Sequence, residues 1–536
     1  MSAKMNVAVE TVCSHPPGCG ADAVTADGHV IAFCPESDGR VRFLWDGVAG
    51  APFDGLVELR DKSAAVFSSE DGAHVAYVGR RGEKVFVGRD NREEPPFDAF
   101  SGSVPPTFGG GGRHLAYAAQ VPGGDFRLIV DGEPMGTSSV APIAAVFSPD
   151  GGRLAYVEMR GEGRGEIEHR IVLDGREGDW FRGMRNATGA MQFSPDGRRF
   201  AYYAIDGKGH ARWCLDGVAQ RLVNDVRPLG LARIRGIAVL DPALPARFSP
   251  DSQRFAYFAD VVEKGVAIVE DDVPGPLFRG VGLPVFSPDS RHLAYAAETS
   301  PKKMTLVLDG AMSGEWPATS AGEPIFSPDS RRVAVTLQRD EGGFLRKRQL
   351  YTVAVDGRSY PEEPGDDVSL RPAFSPDGAR VAWWLQRGTD SVLVIDGVVH
   401  LGAAFVGSDL RFDPSGRIVH ASRFGTSHTI SVDDRPGPLA DAVVGLFPAS
   451  EVFSHRPWPE STVPFRLSAD GLHVAWAGLF GDQMCPVLDD EVGPTFDLII
   501  DCRFDDDGAA VWWAMRGEVV FRVERAPAAG PMRSGS

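Results

Sequence analysis

One pattern of apolar and polar positions recurs along the chain. In VFSPDGGRLAYVE, Val146–Glu158, an apolar run ends in Phe, a polar turn follows, and a second apolar run begins. In an extended strand Leu154 and Tyr156 lie on one face, and Ala155 and Val157 lie on the other, so both faces are apolar. Such a strand is covered on both faces. The pattern therefore predicts strands that pack between neighbouring sheets.

The polar residues between the two runs have the composition of a tight turn. Pro149 presets φ for the second residue of a type I turn, Asp150 can accept backbone N–H groups, and Gly151 can adopt positive φ. A second turn is predicted at the Asp-Gly pair further along, as in VLDG at Asp174, because this pair favours two-residue hairpins. The line and its second turn together predict four antiparallel strands per unit.

The unit repeats twelve times, at spacings of 37 to 55 residues. The repeats begin near Val24, Phe67, Phe108, Phe147, Phe193, Phe248, Phe286, Phe326, Phe374, Phe412, Leu467 and Phe504. Four-stranded units at this period are typical of propeller blades. The line resembles the TolB-type β-propeller repeat, a WD-like repeat with Pro-Asp at its first turn. That resemblance implies an all-β propeller that binds proteins, with no fixed chemistry.

Twelve blades exceed the usual number in one ring. We expect two six-bladed rings, with blades 1–6 in residues 1–280 and blades 7–12 in residues 281–524, and a flexible tail in residues 525–536. One large twelve-bladed ring is the alternative. The last unit has three strands of its own, so we expect Asn6–Val12 to supply its fourth strand and close the propeller.

Charge and cysteine content limit the possible partners. The net charge of −18 makes nucleic acid or an anionic membrane an unexpected partner. The N-terminal residues lack the apolar core of a signal peptide, and six cysteines are few for 536 residues. We therefore expect a cytoplasmic protein with reduced thiols. Cys13, His15, Cys19 and Cys34 match no standard zinc spacing, so no metal is expected there.

Catalytic motifs are not recognisable in the sequence. It contains no Gly-x-Ser-x-Gly elbow, phosphate loop, His-Glu-x-x-His or dinucleotide-binding glycine pattern, and we expect no cofactor. A basic residue recurs after the first turn, at His74, His114, Arg153, Arg199, Arg254, His292, Arg332, Arg380 and His473. These residues could form a surface that binds anions or acidic peptides, but we expect each to offset a turn aspartate of its own or the next blade.

Two positions break the repeat. A small Ala follows the turn in ten units, whereas His420 and Trp512 stand at that place in the tenth and twelfth. A histidine there is either a hydrogen-bonded core residue or a channel-side binding group. We therefore include His420 among the candidate partner-binding residues.

The insertions between strands are further candidates, because loops carry binding more often than packed strands do. Long segments start at Met159, Val223, Leu337 and Pro438. The last holds Phe447, Phe453, His455 and Trp458 among prolines, a composition found at interface hot spots. They equally suit a segment that caps a ring opening.

These observations predict a non-enzymatic β-propeller scaffold that binds a protein or peptide partner through its loop faces. The alternative is a propeller that binds a small ligand or acts as a lyase or hydrolase at its central channel. The oligomeric state does not follow from the sequence.

Overall fold

The structure is a computed structural model of the chain. It describes residues 3–59, 64–121, 124–136, 140–161, 167–182, 190–205, 211–219, 246–261, 265–342, 348–368, 372–387, 390–433, 435–444 and 465–526. These residues form β-strands, turns and loops without a helix, so none of the described residues lies in a helix that could cross a membrane.

The described strands form twelve four-stranded antiparallel blades, as the repeat predicts. The chain is thus a β-propeller of twelve blades. In several blades the first strand is split into two short segments that both pair with the second strand. The strands of blades 1–6 follow in chain order, blade by blade: Ala23–Val24, Val30–Pro35, Val41–Trp45, Val48–Ala49; Gly55–Leu56, Val66–Ser68, Val75–Arg81, Lys84–Arg89, Arg92–Glu93; Ala99–Ser101, Thr107–Gly109, His114–Gln120, Phe126–Val130, Glu133–Met135; Ala145–Phe147, Leu154–Arg160, Glu168–Leu173, Arg176–Glu177; Met191–Phe193, Phe200–Ile205, Ala211–Leu215, Val218–Ala219; Ala246–Phe248, Phe255–Val261, Gly265–Glu270, Val273–Pro274.

Blades 7–12 have the same plan, except that one continuous strand, Val398–Phe412, ends blade 9 and begins blade 10. Their strands are, blade by blade: Gly280–Val281, Val285–Phe286, Leu293–Ser300, Lys303–Leu308, Ala311–Trp316; Ser320–Ala321, Ile325–Phe326, Val333–Glu341, Arg348–Val355, Arg358–Ser359, with Glu363–Gly365 beside the third strand; Asp367–Val368, Ala373–Phe374, Val381–Arg387, Asp390–Ile395 and the shared strand; Ile418–Phe424, Ser427–Val432, Arg435–Pro436; Ala442–Val443, Phe465–Leu467, Val474–Phe480, Gln483–Leu488, Glu491–Val492; Leu498–Phe504, Ala510–Arg516, Val519–Arg525.

The middle strands of each blade are buried on both faces. In blade 4, Ala155, Tyr156, Val157 and Glu158 are all buried, as the doubly apolar pattern predicts. Apolar clusters join the facing sides of consecutive blades; one combines Phe67 and Val78 of blade 2 with Tyr117 of blade 3. The fourth strands are mostly short and exposed, which leaves little free edge for pairing with another chain.

The first turn of the repeat has the predicted geometry. Gly151 N donates to Ser148 O at 2.8 Å with φ of 73° at Gly151. Ser148 is buried and its hydroxyl donates to Asp150 Oδ1 at 2.6 Å. That carboxylate also accepts Gly152 N–H at 3.0 Å. These two bonds lower the pKa of Asp150 below its ordinary value, because hydrogen bonds to the charged form favour it.

The Asp-Gly pair forms the second turn, also as predicted. Asp174 and Gly175 have φ of 52° and 74°, which is typical of a type I′ hairpin turn. The side chain of Asp174 reaches back across the blade, and its Oδ1 accepts the N–H of Leu154 at 3.0 Å. The aspartate of the second turn therefore fixes the start of the second strand as well as its own turn.

The N-terminal segment supplies the fourth strand of blade 12. Ala8–Ser14 pairs antiparallel with Val519–Arg525 from Ala8 opposite Glu524 to Ser14 opposite Val519, with one irregularity after Thr11. The predicted strand Asn6–Val12 has the same place in blade 12, but the observed strand begins and ends two residues later. Preceding it, Ala3–Lys4 pairs parallel with Glu491–Val492 of blade 11.

The chain divides into two compact units. Unit 1 comprises Met1–Trp180, Gly425–Ser431 and Arg435–Ser536, and unit 2 comprises Phe181–Phe424 and Val432–Asp434. The predicted division near residue 280 lies inside unit 2, and the arrangement of the blades in one ring or two stays a prediction.

Candidate functional site

The basic residue after the first turn contacts an acidic side chain of its own blade. Where the residue is arginine, as at Arg332, Nε donates to Asp356 Oδ2 of the second turn at 2.9 Å. Where it is histidine, as at His292, Nδ1 lies 2.7 Å from Asp309 Oδ2. The contacts of Arg332 and His292 with turn aspartates follow the expectation, whereas Arg254 pairs with Glu270 instead.

The arginines also connect consecutive blades, which the sequence did not reveal. Arg332 Nη1 donates to Gly378 O at 3.0 Å and Ala379 O at 2.9 Å in the first turn of the next blade. Its guanidinium lies 5.6 Å from the centroid of the Phe374 ring of that blade. Arg199 and Arg254 make the same type of contact. Each of these arginines thus lies between the first turn of its own blade and that of the next blade.

Blades 1, 2, 3, 7 and 11 have a histidine instead of an arginine at this position. His29 occupies it in blade 1, where a turn one residue shorter conceals it in the sequence, and its Nδ1 contacts Asp46 at 2.6 Å. His74 occupies it in blade 2, with Asp90 at 2.9 Å. The His74 ring contacts the next blade through Phe108, at 6.3 Å between ring centroids.

In blade 2 a different arginine makes the contact with the next blade. Arg89, the residue before the aspartate of the second turn, donates from Nη2 to the carbonyls of Gly112 and Arg113 in blade 3. The equivalent residue in blade 1 is Trp45, whose ring contacts His29 at 4.7 Å between centroids. No arginine of blade 1 therefore fills the gap towards blade 2 among the described residues.

A recess of about 770 Å³ lies at this place. We call it the blade 1–3 recess; its lining residues are Asp27, His29, Trp45, Ala73, His74, Arg89, Asp90, Asn91, Arg92, Glu93, Glu94, Pro95, Asp131 and Gly132. All of them belong to unit 1. The recess is a concave site lined mostly by polar residues, and Trp45 lies half-buried in it.

The comparisons with known proteins do not assign a family. No family model and no curated protein matches the chain. Similar solved structures include a eukaryotic initiation factor, 13% identical over 72% of this chain and 98% of that chain with a TM-score of 0.32. TolB from Acinetobacter baumannii is 14% identical over 62% of this chain and 78% of its own, with a TM-score of 0.21.

The β-propeller domain of the Trilobed protease from Pyrococcus furiosus is also similar, with 13% identity over 62% of this chain and 91% of that chain and a TM-score of 0.23. At such values these similarities carry no functional argument. The TolB-type resemblance of the repeat stays a prediction.

The structure corrects the register assigned to His420 and Trp512. Ile418 N donates to Asp433 Oδ1 as Leu154 N donates to Asp174 Oδ1. Because the first turns of blades 10 and 12 are one residue shorter, His420 and Trp512 correspond to Tyr156 rather than to Ala155. The same shift applies to Ala32 in blade 1, since Val30 N donates to Asp46 Oδ1.

Both residues are buried at a position that other blades fill with large aromatic side chains. Trp512 has no exposed surface and its Nε1 donates to Trp476 O at 3.1 Å. His420 Nδ1 lies 3.0 Å from the Ser422 hydroxyl and 3.3 Å from Ala421 O. These contacts are those of hydrogen-bonded core residues, and a binding role of His420 stays a prediction.

The other candidates lie outside the described residues. Phe447, Phe453, His455 and Trp458 all fall in 445–464, and much of the insertions that start at Met159, Val223 and Leu337 is likewise outside. Their proposed partner-binding role stays a prediction.

The cysteines depart from the expected reduced set. Cys19 and Cys34 form a disulfide, with their Cα atoms 5.3 Å apart, whereas Cys13, Cys214, Cys485 and Cys502 are buried free thiols. The bridge crosses the hairpin that begins blade 1, which the short-range spacing in the sequence did not indicate. Within the described ranges no group of three or more His, Cys, Asp or Glu side chains is placed to hold a metal ion.

Sequence reasoning missed the blade 1–3 recess. The available signal was the residue before the aspartate of the second turn, which is aliphatic in most blades but Trp45 in blade 1. Aligning that column, rather than the FSPDG line, would have singled out Trp45.

Proposed function

We propose that this protein is a non-enzymatic β-propeller that binds a protein or peptide partner through a loop face, and that the blade 1–3 recess is a contact site. The observation that supports this proposal is the recess, which lies at the edge of the blades that carries both the first and the second turns. A volume of about 770 Å³ accommodates several side chains of a partner, and small-molecule pockets are of similar size. Its polar, strongly charged lining favours a peptide or protein surface over an apolar small ligand.

Trp45 is the residue on which we expect binding to depend. Tryptophan, tyrosine and arginine dominate binding energy at interfaces, and tryptophan buries a large area with few rotatable bonds. Trp45 is half-buried at the recess, next to His29, so it can lose further exposed area when a partner docks.

The test is affinity capture from the cells that make the protein, followed by binding measurements with the purified partner. Trp45→Val introduces the residue found at the same place in blade 3, Val130. Asp507→Asn is the matched control, because Asp507 occupies in blade 12 the turn position that Asp27 occupies in blade 1 and does not line the recess. We expect a partner that Trp45→Val loses by about ten-fold or more in affinity and Asp507→Asn retains.

A third variant replaces residues 445–462, which follow the Ala442–Val443 strand of blade 11, by a Gly/Ser linker. A partner that needs this segment and not Trp45 would move the contact site to the insertion of blade 11 and leave the class of function standing. Identical partner sets for the wild type and all variants would contradict the proposed function.

A further inference from the structure

The blade 1–3 recess combines an aromatic wall with an exposed carboxylate. His29 lies between them: its ring contacts Trp45 at 4.7 Å between centroids, and its Nε2 is 3.5 Å from Asp27 Oδ2. Asp27 accepts a hydrogen bond from the Thr25 hydroxyl through Oδ1, and 52% of its side chain is exposed. Trp45 and Asp27 are thus held on one side of the recess by a shared neighbour.

Acidic groups outnumber basic ones around the recess. Five carboxylates line it, from Asp27, Asp90, Glu93, Glu94 and Asp131, against the two arginines Arg89 and Arg92. Arg89 is already engaged by the carbonyls of blade 3 and by Asp131 Oδ1 at 3.6 Å. Glu93 is paired with the Arg81 guanidinium, which leaves Asp27, Asp90 and Glu94 against Arg92, so negative charge still predominates around the recess.

The histidines do not turn the recess into an anion site. His29 and His74 each direct Nδ1 at an aspartate of their own blade, so neither ring offers that nitrogen to a phosphate or carboxylate. A cation, in contrast, is attracted both by the face of an indole ring and by nearby carboxylates. The two attractions reinforce each other only for a positively charged ligand.

We propose that the blade 1–3 recess binds a lysine or arginine side chain of the partner, whose stem packs against Trp45 and whose charged group pairs with Asp27 beyond His29. This proposal rests on the proposed function and specifies the chemistry of the partner segment. Glu94 lies on the same lining, and its Oε2 accepts the Tyr117 hydroxyl at 2.6 Å, which holds a further carboxylate in place for flanking N–H groups of the segment.

The experiment measures binding of defined peptides to the full-length protein by fluorescence anisotropy. The probes are labelled peptides of equal length on a Gly/Ser background that carry arginine, lysine, methionine or glutamate at the same positions. We expect the arginine and lysine peptides to bind about ten-fold more tightly than the methionine peptide, and their binding to weaken with added salt.

The variants assign that binding to the recess. Trp45→Val and Asp27→Asn should each weaken binding of the cationic peptides several-fold, and Asp507→Asn should leave it unchanged. Because the amide oxygen introduced by Asp27→Asn can still accept the Thr25 hydroxyl, this variant separates loss of charge from loss of local structure. Circular dichroism melting checks that each variant is folded.

Three results would overturn the inference: equal binding of methionine or glutamate peptides, no binding of any peptide, or cationic binding that Asp507→Asn weakens as much as Asp27→Asn. None of these results would by itself remove the proposed function, which fails separately when the wild type and all variants capture identical partner sets.

Discussion

At the scale of single residues, serine takes the place of glycine in several first turns and gains a contact by doing so. Ser252, Ser290 and Ser330 adopt φ between 64° and 67°, a region that costs an ordinary residue about 1 kcal/mol or more. In each case the hydroxyl accepts the N–H of the turn aspartate in the preceding blade, as Ser290 Oγ does from Asp251 N at 2.9 Å. The bond between blades offsets the backbone cost.

This balance predicts losses of stability of different size for two substitutions at Ser290. Ser290→Ala keeps the unfavourable φ and leaves Asp251 N–H without its partner, so we expect a loss of about 1–2 kcal/mol in the free energy of unfolding. Ser290→Gly also loses the hydrogen bond but relieves the backbone, and we expect less than half of that loss. Urea unfolding measures both, and a glycine variant less stable than the alanine variant would contradict the account.

Asp501 provides a prediction about pH. Burial raises the pKa of Asp501 to about 6, although the Arg466 guanidinium at 3.9 Å counteracts this. A raised folded-state pKa favours the protonated folded protein, so its stabilisation is complete below the unfolded value near 4 and is lost as pH rises through about 6. Across this window the loss is at most about 3 kcal/mol.

Asp501→Asn removes this titration. We expect the difference in free energy of unfolding between variant and wild type to shift in favour of the variant as pH rises from about 4 to about 6, and to stay constant above that range. Urea unfolding at a series of pH values measures it. A difference that does not change with pH would show that Asp501 has an ordinary pKa.

At the scale of strands and turns, local chemistry was predictable and contacts between blades were not. Pro149 and Gly151 determine a turn through their own φ values, so one copy of the line suffices to predict it. The bridging role of Arg332 depends on carbonyls 46 and 47 residues away, which no local pattern contains. The register of His420 was wrong for a related reason: one residue fewer in the turn reverses every side chain that follows.

The disulfide is an element whose effect can be measured directly. Cys19 lies in the segment between the fourth strand of blade 12 and the first strand of blade 1, and Cys34 lies in Val30–Pro35. A bridge across a separation of 15 residues contributes about 3 kcal/mol by restricting the unfolded chain. We expect a reducing agent to lower the melting temperature of the wild type by several degrees.

The double variant Cys19→Ser/Cys34→Ser should melt at the reduced wild-type temperature and ignore the reducing agent. Cys485→Ala, which removes a free thiol of blade 11, should keep the response. Superimposable melting curves of the wild type with and without reductant would rule out a stabilising bridge.

At the scale of the whole molecule, the N-terminal segment connects blades 11, 12 and 1 of unit 1. Ala3–Lys4 pairs with blade 11, Ala8–Ser14 completes blade 12, and Cys19 is bonded to blade 1. Between them, Met5 is buried in the cluster that contains Trp512, and His15 N donates to Glu518 O at 2.8 Å. Blades 11 and 12 and blade 1, which are distant in sequence, are thus connected by one short segment.

Removal of residues 1–14 tests this dependence. The deletion exposes Val519–Arg525 as a free edge strand and uncovers the apolar cluster under Met5, so we expect a lower melting temperature and self-association through that edge. A synthetic peptide of residues 1–14 supplied in trans should restore the melting temperature, because the acceptor strand keeps its hydrogen-bonding groups, whereas a scrambled peptide of equal composition should not. An unchanged melting temperature after the deletion would show that the packing between blades 11 and 12 is sufficient for their stability. The N-terminal strand would then not be required for it.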